Sequence, residues 1–338
     1  MRIVHLILTS RFAGSERHAL ELAAAQAADH DVTVVLRRAG TASRADAIGH
    51  RVDPRVKVEV VGDLFTPWQA RRVLRRVKPD VAHAHLSGGC RALQGLDVPG
   101  CLRVATLHIH YKPRQHATLD GLIAIAPWQL HAIPAPLRAH TVQIDNWTLP
   151  RPAVADARAR LRAEHGIDER TFVVGALGRA EAGKGLDVLI EAFERARLPD
   201  ARLVIVGQGK AWKTLREQAG PQVLMPGFTE HPQDWLAAFD GFVSAARSEP
   251  FGLVLLEAME AGLPILASAT EGARHLAPQL PEPLLPIGDV DALATALRSL
   301  RAAGPRRLAY PMDGFRIEAK RAQIEAFYRD GLARLRGG

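Results

Sequence analysis

Two carboxylates, Glu249 and Glu257, stand eight residues apart in a run that reads Ser248-Glu249-Pro250-Phe251-Gly252-Leu253 and closes on Ala261-Gly262-Leu263-Pro264. The stretch ahead of it, Gly241-Phe242-Val243-Ser244-Ala245, reads as a short buried strand. Residues 253–259 read as a helix, with Gly262 and Pro264 as its stop signal. Glu249 then lies in the loop before the helix, and Glu257 about a turn and a half inside it. Between them come the backbone N–H groups of Phe251, Gly252 and Leu253, and free N–H groups at a helix start make an anion site. A phosphate held there has an acid on either side. Carboxylates repel phosphate, so each acid is expected to face sugar hydroxyls and accept hydrogen bonds from them. Alone, the pair equally describes a helix with a dipole-favouring Glu249 and a solvated Glu257.

A second group of residues points the same way. Val173-Val174-Gly175-Ala176-Leu177-Gly178 is a strand running into a glycine, followed by Arg179, Lys184 and Gly185 and a helical run over residues 186–195. Ligands of open α/β sheets bind outside the carboxyl ends of the strands. Arginine can fork onto two phosphate oxygens, and lysine adds a point charge. The P-loop pattern is absent. Two solvated loop cations are the plain alternative.

Taken in order, Gly178-Arg179, Lys184-Gly185, Val206-Gly207-Gln208-Gly209, Gly227-Phe228 and the Glu249/Glu257 pair resemble family 4 of the retaining glycosyltransferases over about residues 170–300. The N-terminal half is similar more loosely. It has Gly14-Ser15-Glu16-Arg17-His18 where the family often has Gly-Gly-Ala-Glu, then Asp80-Val81-Ala82-His83-Ala84-His85 and Thr106-Leu107-His108. The resemblance implies a GT-B fold, two doubly wound Rossmann-like α/β domains facing across a cleft. It implies transfer of a hexose-type sugar from a nucleoside diphosphate sugar to an acceptor hydroxyl, with retention. Arg179, Lys184 and the N–H groups of Phe251, Gly252 and Leu253 would stabilise the leaving diphosphate, with no metal required and no other cofactor. Glu257 would hold the ribose and Glu249 the donor sugar. Gly178 and Gly207 fall in the matching glycine positions, and Phe228 and Thr229 lie where family members meet the base. Gly14 falls in the N-terminal turn facing the cleft, and His108 would contact the sugar or acceptor. The acceptor would be a glycan, a glycolipid or a small molecule, with bacterial surface polysaccharide or glycolipid synthesis as the setting. A nucleotide-sugar epimerase of similar fold and a non-catalytic nucleotide-sugar-binding protein are the other readings.

Elements must hold these residues in place. Apolar runs at residues 3–8, 32–36, 56–61, 81–85, 103–108 and 122–126 read as strands of a first sheet, with a helix over 15–28 capped by Ser15. Pro150 and Pro152 mark a linker. Strands follow at 172–177, 203–206, 223–225, 241–245, 265–267 and 284–286, then a helix over 290–302 with Asp289 near its start. A last helix from about 316 to 336 is implied by the resemblance to cross back onto the first domain. The domains read as 1–146, 147–310 and a tail, 311–338. Alternation of this kind predicts parallel sheets with helices on both faces.

Composition fits a two-domain soluble protein of 338 residues. The residues at 1–8 read as a first buried strand rather than a signal peptide, so a cytoplasmic protein is expected. Cys90 and Cys101 read as reduced thiols. The formal charge of +8 sits almost wholly in residues 1–150, with 19 basic against 12 acidic residues. Its densest run, Arg71-Arg72-Val73-Leu74-Arg75-Arg76-Val77-Lys78, suits either a solvated helix face or peripheral contact with an anionic membrane. Nucleic acid is not expected, since aromatics are 5% and no binding motif accompanies the charge. Eleven of fourteen histidines precede residue 150. His83 and His85, like His108 and His110, are spaced to share a strand face. Structural histidines are favoured there over a zinc site, which lacks a Cys/His spacing motif. Lys112, Arg114 and His116 read as a basic loop, either solvated or facing an acidic acceptor.

Overall fold

The computed structural model describes residues 1–337. The chain forms two compact units. One comprises Met1–Trp147 and the C-terminal segment from Phe315, and the other is Thr148–Gly314.

The first unit is built on seven parallel strands: β1 (Arg2–Ile7), β2 (Asp31–Arg37), β3 (Lys57–Val61), β4 (Val81–His85), β5 (Leu102–Leu107), β6 (Gly121–Ala124) and β7 (Thr141–Gln143). Their spatial order is β3-β2-β1-β4-β5-β6-β7. Helices cover both faces, so the central strands are buried without alternation, and β4 is buried along its whole length. The chain reverses direction across the sheet between β1 and β4, the switch point at which such sheets take ligands. The helix Ile317–Gly337 packs in this unit. Tyr328 is fully buried, and a Cβ on Gly331 would come within 2.7 Å of Leu102.

The second unit holds five parallel strands: β8 (Phe172–Leu177), β9 (Ala201–Val206), β10 (Val223–Gly227), β11 (Gly241–Ser244) and β12 (Ile265–Ala267), in the order β10-β9-β8-β11-β12. Its switch point lies between β8 and β11. A core of Phe172, Leu189, Phe193, Leu203, Val243 and Leu297 fixes the sheet against its helices.

Three local expectations need correction. The first helix is Gly14–Gln26 and its cap is Ala13, because Ser15 is already inside it and turns its hydroxyl to Glu16 Oε2 at 3.0 Å. The run at 284–286 contributes only a single bridge, Ser268 with Leu285, since Pro281, Pro283 and Pro286 withhold ladder donors. β5 ends at Leu107, so His108 and His110 share no strand face.

Candidate functional site

In the second unit the loops after β8 and β11 are stitched together. Arg247 and Ser248 donate their backbone N–H groups to Gly183 O at 2.9 and 3.2 Å. Arg247 also donates to Ala182 O and forks onto Asp187 at 2.7 and 2.6 Å. Gly185 has φ +61°, and a Cβ there would lie 2.0 Å from Ala245 O. Gly207, at φ +137°, packs so tightly on the Gly178 carbonyl that a Cβ would sit 1.8 Å from it. Neither position has room for a side chain.

Across this seam Lys184 Nζ donates to Glu249 Oε2 at 2.6 Å. Arg179 projects beside it, mostly exposed, with Glu181 at 3.2 Å. A small solvent-open depression lies here, with Gly178, Arg179, Lys184, Ser244 and Val254 among its lining. The helix Leu253–Glu260 starts at its edge behind Gly252 (φ +97°), with Phe251 buried under it. Leu253 opens that helix and Glu257 stands half-buried on it. The fold thus brings Gly178, Arg179, Lys184, Glu249 and the 251–253 segment to one switch point. Glu249 has a cation for its partner, where the sequence assigned it only sugar hydroxyls. Gly227 ends β10 at φ +94°, Phe228 after it is 40% exposed, and Thr229 accepts from the His231 N–H at 3.0 Å.

Several groups escaped the sequence reading. Arg247 and Asp187 tie the loops, and nothing in their spacing marks them as partners. The chain also carries two Asp-x-Asp triplets, 29–31 and 289–291. Asp29 pairs with Arg321 and Asp31 with Lys57, while Asp289 caps the helix Val290–Ala302 and Asp291 pairs with Arg195. These partners lie outside the Lys184–Glu249 group.

At the switch point of the first unit, Gly14 is exposed at its helix start. The adjoining Glu16 is buried and accepts from Thr9 Oγ1 at 2.7 Å. His108 is half-buried past the end of β5, with its Nε2 3.0 Å from His85 Nδ1. Its ring packs edge-on against His18, which in turn stacks on Trp147 with centroids 3.8 Å apart. Burial lowers His108 and His5 to about 4 and holds His18, His83 and His85 well below the ordinary histidine range. The basic loop is smaller than expected. His116 is buried, accepts from the Lys112 N–H at 2.9 Å and is lowered to about 4, first by desolvation and then by Lys112.

Two all-parallel α/β units, each with polar groups at its switch point, define a protein of the GT-B type. Solved structures agree: a sucrose-phosphate synthase from Thermosynechococcus elongatus has a TM-score of 0.79 at 20% identity over 98% of this chain and 99% of that one. Anabaena HepE, crystallised in complex with UDP and glucose, has a TM-score of 0.75 at 20% identity over 96% and 98%. Residues 12–175 match the Glycosyltransferase Family 4 model, and residues 171–302 match Glycosyl transferases group 1. The chain belongs to glycosyltransferase family 4. It is 36% identical over 175 residues to the GDP-mannose-dependent alpha-(1-6)-phosphatidylinositol monomannoside mannosyltransferase of Mycolicibacterium smegmatis, covering 46% of this chain and 44% of that protein. A D-inositol 3-phosphate glycosyltransferase of Xylanimonas cellulosilytica is 33% identical over 158 residues, 43% of this chain and 36% of that one. The chain therefore spans less than half the length of these curated relatives.

Proposed function

We propose that this protein transfers a hexose-type sugar, with retention, from a nucleoside diphosphate sugar to the hydroxyl of a glycan or glycolipid. The observation that carries this reading is the stitched switch point of the second unit, where Arg179, Lys184 and a helix start converge beside two acids. As the anomeric carbon leaves the diphosphate oxygen for the acceptor oxygen, negative charge builds on the diphosphate. Arg179, Lys184 and the first-turn N–H groups are placed to stabilise it. An ammonium has three donors, and Glu249 uses one. Lys184 can thus keep its anchor and still reach phosphate oxygens. Glu249 has a second oxygen for a sugar hydroxyl, and Glu257 serves the ribose. On this reading a divalent metal is dispensable, His108 contacts the sugar or acceptor, and Phe228 and Thr229 border the base. Relatives that act on phosphatidylinositol mannosides support a lipid-linked acceptor.

The protein on this proposal works peripherally, on the cytoplasmic face of a membrane. Among the described residues no helix is long and apolar enough to cross one. Leu64, Phe65 and Trp68 are exposed by 76, 81 and 53% next to the basic helix Thr66–Val77. Large apolar side chains held in water beside cations support an interfacial contact.

A thermal-shift panel of UDP, GDP, ADP, TDP and CDP, each with Mg²⁺ or excess EDTA, tests the donor site. A ligand bound only by the folded state at ~100 times its Kd adds ~2.7 kcal/mol of stability. One nucleotide is expected to win irrespective of metal. A flat response to all five would remove the donor-site assignment, and a response confined to Mg²⁺ would remove metal independence.

A further inference from the structure

The first unit contains a chain of hydrogen bonds that runs from its interior to His108. Gln26 Oε1 lies 2.8 Å from His5 Nε2. His5 Nδ1 lies 3.1 Å from His85 Nε2, and His85 Nδ1 lies 3.0 Å from His108 Nε2. Gln26 and His5 have no exposed surface and His85 has 1%. Strands β1 and β4 supply His5 and His85, and the segment just after β5 supplies His108. His5 pairs in register with His83, two residues along from the pair Ile7 and His85, and His85 pairs with Thr106 of β5.

A neutral imidazole has one N–H and one lone pair. Each ring in the chain must therefore donate from one nitrogen and accept at the other, so the tautomers of all three are a single choice. With its Oε1 turned toward His5, Gln26 makes that choice. Its Oε1 only accepts, so His5 donates from Nε2 and accepts at Nδ1. His85 then donates from Nε2 to His5 and accepts at Nδ1. His108 donates from Nε2 to His85, and its Nδ1 is left with the lone pair. Desolvation keeps the rings uncharged at neutral pH, so the one-proton rule applies to each.

We propose that Gln26, acting through His5 and His85, locks His108 as the Nε2–H tautomer and presents its Nδ1 as a hydrogen-bond acceptor for a substrate hydroxyl. Gln26, His5 and His85 are then positioning residues. The part played by His108 toward substrate rests on the function proposed above, but the tautomer order does not. His83 stands outside the relay because its two nitrogens engage Tyr328 OH at 2.6 Å and Thr106 Oγ1 at 2.7 Å. The ligand atoms of His5, His83 and His85 lie within 4.8 Å of one another, which is the geometry of a three-histidine metal group. A dication there would have to take nitrogens that these hydrogen bonds already use, in a group without an acid to offset its charge.

The test uses the full chain with ¹⁵N-labelled histidine, and two-bond ¹⁵N–¹H spectra at pH 7.5. Signals are assigned with single histidine variants. His5, His85 and His108 are expected to share the Nε2–H pattern in the unsubstituted protein. Gln26→Leu, which removes the acceptor, should mix the tautomers of His108. Transfer activity should follow, with kcat down about tenfold in Gln26→Leu for the loss of one oriented hydrogen bond. A mixed or Nδ1–H signal for His108 in the unsubstituted protein overturns the proposal, whether or not the variants fold. Stoichiometric Zn²⁺ uptake that shifts the His5, His83 and His85 signals also overturns it, in favour of a metal site. The Nε2–H pattern without any nucleotide binding would uphold the relay and remove only the function assigned to His108.

Discussion

Lys184 is the residue on which the donor-site argument turns. Its stem leaves a loop pinned by Gly185 and Arg247, and its ammonium is held by Glu249 at 2.6 Å before any ligand arrives. A cation fixed in place loses little entropy when a phosphate binds, and such preorganisation is the main source of electrostatic catalysis. Lys184→Ala is therefore expected to lower kcat by ~10² or more, as loss of one charged stabiliser does. Steady-state kinetics with the winning nucleotide sugar check this, and an unchanged kcat would reject the role. Residue types announced most of this site, since cations after a strand and acids around a helix start are visible in sequence. Which cation meets which acid was not visible. Lys184 and Glu249 are 65 residues apart, and Arg247 and Asp187 are 60 apart. Only the adjacency of β8 and β11 brings them together.

At the scale of elements, the central strands were legible because burial on both faces leaves mostly apolar runs. The three-residue β7 was not, being half-buried and short. The spacing of His83 and His85 put them on one face of β4, and pairing with β1 adds His5 to them in one cluster. That stacking has a cost that pH exposes. In the unfolded chain a histidine titrates near 6.5. In the fold, His5, His108 and His116 are lowered to about 4, and burial holds His18, His83 and His85 well below the ordinary value. Below pH ~6.5 the unfolded state therefore takes up protons that the folded state refuses, and stability falls as pH falls. Each fully engaged histidine removes about 1.4 kcal/mol per pH unit in that window, and above it these groups give no slope. Melting temperatures should be level from pH 8 to 7 and drop steeply between 6.5 and 5. A level curve down to pH 5 would mean that the rings take up protons in the fold as readily as in the unfolded chain.

At the scale of the whole molecule, charge and apolar surface coincide. Residues 1–150 carry nearly all of the net charge of +8. The same unit holds Leu64, Phe65 and Trp68 in water, with Val58 and Val60 of the edge strand β3 exposed by 44 and 49%. Not every cation of the basic helix is available. Arg76 pairs with Glu59 at 2.6 Å, and Arg71 donates to Arg91 O and Ala92 O. Arg72 lies over the Trp68 ring at 5.0 Å, and Arg75 and Lys78 are exposed. An anionic bilayer offers about 1 kcal/mol for each such cation near its surface. Burying an aromatic side chain adds about 1.5–3 kcal/mol. Neither contribution holds a protein alone, but the two together do, so binding should need both anionic lipid and the aromatic pair. Co-sedimentation with phosphatidylglycerol-containing vesicles at about 0.1 M salt should capture the protein, with pure phosphatidylcholine vesicles capturing little. Phe65→Ser with Trp68→Ser should weaken capture at least tenfold, and salt near 1 M should abolish the electrostatic share, because screening shortens its range to ~3 Å. Equal capture by neutral vesicles, or capture indifferent to both serines, would assign this face to something other than a membrane and leave the lipid-linked acceptor without its anchoring argument.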